Sequence, residues 1–185
     1  EGKSITVTSL YLIGGDSLLI GTTIIDAQES GSVATFASGE DSGSKLQGFT
    51  LQNGTGNDED PDGNGSYYTY GGGIYCENSS PTIKDCIIRD NVANEGGGGG
   101  IFCYESSPIF TGCIIFGNET DDVGGGLYSR SSSSPEFYDC VFYDNLAEFG
   151  GGCYMRNEST PLMENVVFND NTANNSGGGI TLKDD

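Results

Sequence analysis

The tripeptide Gly-Gly-Gly recurs at Gly71, Gly98, Gly124, Gly150 and Gly177, at intervals of 27, 26, 26 and 27 residues. A period this regular restricts the chain to a solenoid in which one repeat makes one coil. Each unit reads GGG, an apolar residue, an aromatic, a polar turn, Ser/Thr-Pro, a second strand, and an Asn before the next GGG. Apolar residues come in short runs of Ile, Val, Phe, Tyr and Leu between Gly, Ser, Thr and Asn, the composition of strands and turns. The expected fold is an all-β parallel solenoid of about six to seven coils.

Equivalent positions in successive coils should stack into ladders. The residue after GGG is Ile74, Ile101, Leu127, Cys153 and Ile180; two after Pro stand Ile83, Phe110, Phe137 and Met163; seven after Pro stand Ile88, Ile115, Phe142 and Phe168. All three columns are expected to point inward. Ten after Pro stand Asn91, Asn118, Asn145 and Asn171, whose amides can hydrogen-bond from coil to coil in an internal Asn ladder. Alternation along a strand puts the neighbouring columns outside. Tyr75, Phe102, Tyr128 and Tyr154 then form an outer aromatic stack, and Ile87, Ile114, Val141 and Val167 an outer β-branched strip. The aromatic stack reads either as a ladder that stabilises its sheet or as a flat carbohydrate-binding face.

The 27 acidic and 7 basic residues give a net charge of −20, with no histidine. That field repels a phosphate backbone, which argues against nucleic-acid binding, and the missing imidazole removes the usual neutral-pH base and a common metal ligand. No apolar run is long enough to span a membrane, and Glu1-Gly2-Lys3 is not a signal peptide. The aromatic content and the spaced Ile and Phe residues supply a core, which weighs against low-complexity disorder.

The length fits one domain: divergent coils over 1–54, an acidic loop insertion over 55–70, and regular GGG repeats over 71–185. In the first part, Ser4 to Ile13, Thr22 to Ala27, Ser32 to Ala37 and Lys45 to Asn53 read as strands. In the insertion, Asp60, Asp62 and Asn64 followed by Gly65 match the start of an EF-hand-like loop, so Asp58, Asp60, Asp62 and Asn64 are candidate calcium ligands. The bidentate Glu of such a loop is missing, and a solvated acidic loop is the other reading. No cofactor is required; calcium is the one ion the sequence points to. Asp144 and Asp170, in adjacent coils, should splay into water or share a cation.

Cys76 and Cys103 share one column, and Cys86, Cys113 and Cys140 another. Replacement by Met and Val elsewhere in these columns favours inward free thiols; paired occurrence within coils favours disulfides joining Cys76 to Cys86 and Cys103 to Cys113, with Cys140 to Cys153 as a third. Among the N-x-S/T triplets, the turn positions Asn64, Asn78 and Asn157 are the candidate glycosylation sites, and Asn118, inward, is a poor acceptor. Arg130 and Arg156 fall at the same repeat position and read as solvated turn charges.

The units GGGIYCENSSPTIKDCIIRDN and GGGIFCYESSPIFTGCIIFGN resemble the right-handed parallel β-helix repeats of the pectate-lyase-like superfamily, closest to bacterial secreted or surface proteins with the same grammar. The likeness covers 71–185 and, more faintly, 1–54. It implies a right-handed parallel β-helix of 26–27-residue coils and an extracellular or cell-surface location. Polysaccharide lyases and hydrolases on this fold use grouped Asp residues with Arg, Lys or His, and no convergent set of that kind stands out here. The expected function is therefore a non-catalytic structural rod or surface module. Its ends lack amphipathic caps, which suggests neighbouring domains of a longer surface protein or end-to-end contact with its own copies in a head-to-tail filament. The alternatives are a carbohydrate-binding module that holds polysaccharide on the aromatic ladder, and a degenerate lyase or glycosidase.

Overall fold

A computed structural model describes residues 4–60, 63 and 65–183. Three six-stranded sheets, every pairing parallel, form the walls of a solenoid of six coils. Wall A comprises Thr6–Thr8, Lys45–Gln47, Thr82–Lys84, Ile109–Thr111, Glu136–Tyr138 and Leu162–Glu164; wall B comprises Ile24–Asp26, Thr50–Gln52, Ile87–Arg89, Ile114–Phe116, Val141–Tyr143 and Val167–Asn169. Wall C comprises Ala34–Phe36, Ile74–Glu77, Ile101–Tyr104, Leu127–Arg130, Cys153–Arg156 and Ile180–Lys183. The register pairs like with like: Ile101 lies between Ile74 and Leu127, and Ile115 between Ile88 and Phe142.

The inward columns fill the lumen. Ile74, Ile101, Leu127, Cys153, Ile83, Phe110, Phe137, Ile88, Ile115 and Phe142 are fully buried, each large side chain contributing about 1.5–3 kcal/mol relative to exposure. Ile180, in the last described coil, is 42% exposed. Two corners of the coils from Asn53 onward take left-handed backbone, and the sequence answers with Asp, Asn or Gly. After wall A these are Asp85, Gly112, Asp139 and Asn165; after wall B, Asn53, Asp90, Gly117, Asp144 and Asp170, all at positive φ. At these corners Asp90, Asp144 and Asp170 are exposed, so their charges meet water rather than one another.

The Asn column is an internal ladder. Asn91, Asn118 and Asn145 are fully buried, and each Nδ2 donates to the next Oδ1 at 3.0, 3.0 and 2.8 Å, ending on Asn171. GGG begins the return to wall C. Gly98 takes φ +69°, and a Cβ on Gly100 would lie 2.6 Å from the carbonyl oxygen of Gly126 in the next coil. The triplet thus combines a left-handed bend with a coil-to-coil approach that leaves no room for a side chain.

Three expectations need correction. Ser4 to Ile13 is not one strand: Thr6–Thr8 pairs in wall A, and the chain then forms two short helices, α1 (Tyr11–Gly14) and α2 (Leu18–Thr22). Gly15 closes α1 at φ +69°, and the Asp16 carboxylate accepts from the Leu18 N–H. These local bonds close the Leu-rich segment into short helices between its wall-A and wall-B strands. Second, Cys76, Cys86, Cys103 and Cys113, with Cys140 and Cys153, are buried free thiols rather than disulfides. They serve as small apolar core residues that stack between coils, Cys103 on Cys76 in register. Third, the insertion does not leave the wall as a loop. Asn57–Glu59 and Tyr68–Tyr70 form an antiparallel hairpin, and Glu95–Gly97 pairs parallel with its second strand.

Candidate binding groove on wall C

Wall C has two outward columns. Tyr75, Phe102, Tyr128 and Tyr154 make the first; Glu77, Tyr104, Arg130, Arg156 and Lys183 make the second, each six residues after the first glycine of its triplet. The first column is not an open platform. Tyr75, Phe102, Tyr128 and Tyr154 are 1%, 0%, 1% and 5% exposed. Chain between the Asn column and GGG folds back over them as an outer layer: the hairpin, Val123, and Leu146–Phe149 paired with Thr172–Ser176. Tyr70 of the hairpin stacks on Phe102 at 4.6 Å, and Tyr128 meets Tyr154 edge-on at 5.8 Å. A flat sugar platform is therefore the wrong picture, because the rings are the core of a second, outer hydrophobic cluster.

Arg130 is likewise no solvated turn charge. It is 2% exposed, its guanidinium carbon 5.2–5.8 Å from the ring centres of Tyr70, Phe102, Tyr104 and Tyr128. Such a cage holds a cation through the negative faces of the rings. Arg156 lies 5.6 Å from the Tyr128 ring centre. Burial pushes the Tyr128 phenol up to about 12, although Arg130 and Arg156 both pull it down. Burial also lifts the Asp122 carboxyl above the usual Asp range, against the opposing pull of Arg156.

These groups surround a groove of about 620 Å³ between wall C and the outer layer, lined among others by Asp122, Tyr128, Arg130, Tyr154, Arg156 and Lys183. Its lining sets the cations of one column beside largely buried aromatic rings, a combination that can grip an anionic group. Repeat arithmetic carried through to the last coil reaches Lys183 and shows three successive cations in one column. Asp122 gave no such signal, since the segment that carries it has no recurring residue pattern.

The chain matches the family described as the right handed beta helix region across residues 4–185. It belongs to the right-handed β-helix family. Comparison with curated proteins and with solved structures gave no match. Membership of the β-helix family fixes the scaffold, while activity depends on the groups the scaffold displays.

The other candidate residues scatter over the β-helix. Asp58 is exposed in the hairpin, and the Asp60 carboxylate accepts from the Gly65 N–H at 2.6 Å; Asp62 and Asn64 lie outside the described residues. Among the described residues no three acidic or thiol side chains gather as a metal cluster. Asn78 and Asn157 are exposed at turns with positive φ, whereas Asn118 is sealed in the ladder. No described helix is long and apolar enough to cross a membrane.

Proposed function

We propose that this β-helix is an extracellular, non-catalytic binding module whose wall-C groove holds a segment of an acidic polysaccharide. One observation carries the reading: of seven basic residues in a chain of net charge −20, Arg130, Arg156 and Lys183 occupy consecutive coils of one column and line one groove. Coils follow at about 4.8 Å, so neighbouring cations repel by about 3 kcal/mol at an effective dielectric near 20, before splaying and salt reduce it. An anionic chain laid along the axis offsets that repulsion, and Tyr68, 37% exposed on the groove's lining, supplies contact for its sugar rings. The long acidic surface elsewhere steers such a ligand away from every other face.

Calorimetric titration with oligogalacturonate, set against a neutral oligosaccharide of equal length, tests the proposal. Saturable binding of the acidic ligand alone is expected, weakened about tenfold or more by Arg156→Gln and by Lys183→Gln, the cost of one charge-assisted hydrogen bond. No heat with any acidic saccharide at low salt sinks the reading, and release of unsaturated or reducing sugars replaces it with the lyase or glycosidase alternative. The second reading, a stiff rod or spacer, is carried by the unbroken Ile, Phe and Asn ladders; it predicts no saccharide binding that Arg156→Gln or Lys183→Gln could weaken.

A further inference from the structure

The outward face of wall B carries an apolar strip. Ile87, Ile114, Val141 and Val167 stand on it in register, one per coil. Two residues further along the strands, Phe116 and Tyr143 stack at 4.7 Å and 4°. Ile114 and Val167 are 36% and 53% exposed, and the other four are half-buried. Acidic corners border both margins: Asp85 and Asp139 before the strands, Asp90, Asp144 and Asp170 after them; Arg89, in register with Phe116, pairs with Asp90 at 3.1 Å, so the net negative charge of the second margin rests on Asp144 and Asp170. Asp85 is also engaged by the Tyr11 hydroxyl and the Gln47 amide. Left-handed backbone fixes these corners, so the carboxylates keep their places along the edges. Burial, followed by the charges of Asp144 and Asp90, raises the Tyr143 phenol against the opposing pull of Arg89.

The chain itself shows what this wall accepts. α2 lies over its near end, where the Thr50 hydroxyl donates to the Ile20 carbonyl oxygen at 2.9 Å. Beyond α2 the face continues uncovered, through a hollow of about 410 Å³ lined by Tyr11, Ile20, Ile87 and Ile114 among others. From Ile87 to Val167 is three coil steps, about 14 Å, which a helix of roughly ten residues spans. A second copy of the chain is repelled by its own charge of −20, and an anionic membrane surface is repelled likewise.

We infer that the outward face of wall B is a docking site for an amphipathic helix of a partner protein, apolar on its contact face and flanked by Lys or Arg on both margins. The apolar columns supply the buried area and the Asp corners set the helix in register through charge complementarity. Neither depends on the wall-C groove.

The test uses fluorescence anisotropy of a labelled Leu/Lys amphipathic helical peptide of about twelve residues, with Lys on both margins, titrated with the full chain at physiological salt. Saturable one-to-one binding is expected, with none for a peptide of the same Leu face and Glu margins. Ile114→Thr with Val141→Thr keeps the β-branched shape and every charge, and should weaken binding about tenfold or more. Asp139→Asn with Asp144→Asn keeps residues that tolerate the left-handed corner and should weaken it similarly. Unchanged affinity in the Thr pair overturns the inference, since the peptide then senses net charge alone. So does sedimentation showing a wild-type dimer that the Thr pair dissolves, because a second copy is then the occupant.

Discussion

Replacing Asn118 by Ala tests the ladder at its most connected point. The Asn118 side chain uses all of its hydrogen-bonding capacity: Nδ2 donates to the Ile88 carbonyl and to Asn145 Oδ1, both at 3.0 Å, and Oδ1 accepts from the Asn91 N–H at 3.2 Å and Asn91 Nδ2 at 3.0 Å. Alanine deletes the four bonds. Asn145 Oδ1 keeps the Asn118 N–H, and Asn91 Nδ2 keeps the Leu51 carbonyl, so the Asn91 N–H is the group left buried without its partner. One such orphan costs about 2 kcal/mol, and the three other lost bonds add roughly 0.5–1 kcal/mol each. The expected loss is about 4 kcal/mol, a large part of the 5–15 kcal/mol typical of a domain, and roughly 8–16 °C in Tm. Urea unfolding followed by tyrosine fluorescence and far-ultraviolet circular dichroism measures it, with Asn169→Ala on the exposed face of the same coil system as the control, expected within about 0.5 kcal/mol of wild type. A loss below about 1 kcal/mol in Asn118→Ala refutes the claim that the ladder holds the coils together, and assigns the stability to the apolar columns instead.

Two further outcomes follow from burial. In the folded chain none of the six thiols should react readily with a thiol reagent, because burial pushes Cys76, Cys113 and Cys153 well above the ordinary range and Cys86 to about 11; Cys140, lowered by the hydrogen bond from Cys113, should be the first labelled, and mass spectrometry showing paired cysteines in the native protein contradicts the free-thiol core. The Tyr128 phenol, raised from an ordinary value near 10 to about 12, favours the folded state below pH 10 and loses that contribution as pH climbs from 10 through 12. Tyr128→Phe should therefore flatten the alkaline fall in stability over that window, and an unchanged fall by circular dichroism places the titrating groups elsewhere.

The scaffold was legible because a solenoid writes each spatial contact as a recurrence. Ile74, Ile101 and Leu127 share a repeat position because they touch, and Asn91, Asn118 and Asn145 because each amide binds its neighbour. Asp, Asn or Gly at the corners reports a backbone angle in the same way. The outer layer follows no such rule. Its segments differ in length and residue type from coil to coil, so nothing in the repeat announces that Tyr70 would cover Phe102 or that Asp122 would face Arg156. Periodicity tells inward from outward, but an outward residue can still be buried when a second layer folds over it, and this reversed the reading of the aromatic column and of Arg130. The Cys columns were ambiguous for another reason: spacing within a coil and stacking between coils predict different partners, and the choice lies in three-dimensional register. The Leu-rich start misled because strand and helix share short apolar runs, and local bonds such as that from the Leu18 N–H to the Asp16 carboxylate favour the helix.

The ladder also bears on how such a chain changes length over generations. Each interior Asn meets the same chemical partners on both sides, so a coil is an interchangeable part. Excision of residues 101–126 would bring Leu127 to rest on Ile74 and Asn145 on Asn91, the pairings that hold throughout the stack. Gene duplication or deletion in whole repeats can then lengthen or shorten the molecule without rewriting its interior, whereas a change of a few residues is absorbed in the outer-layer segments, whose lengths already vary, and disrupts the register only when it falls within a wall.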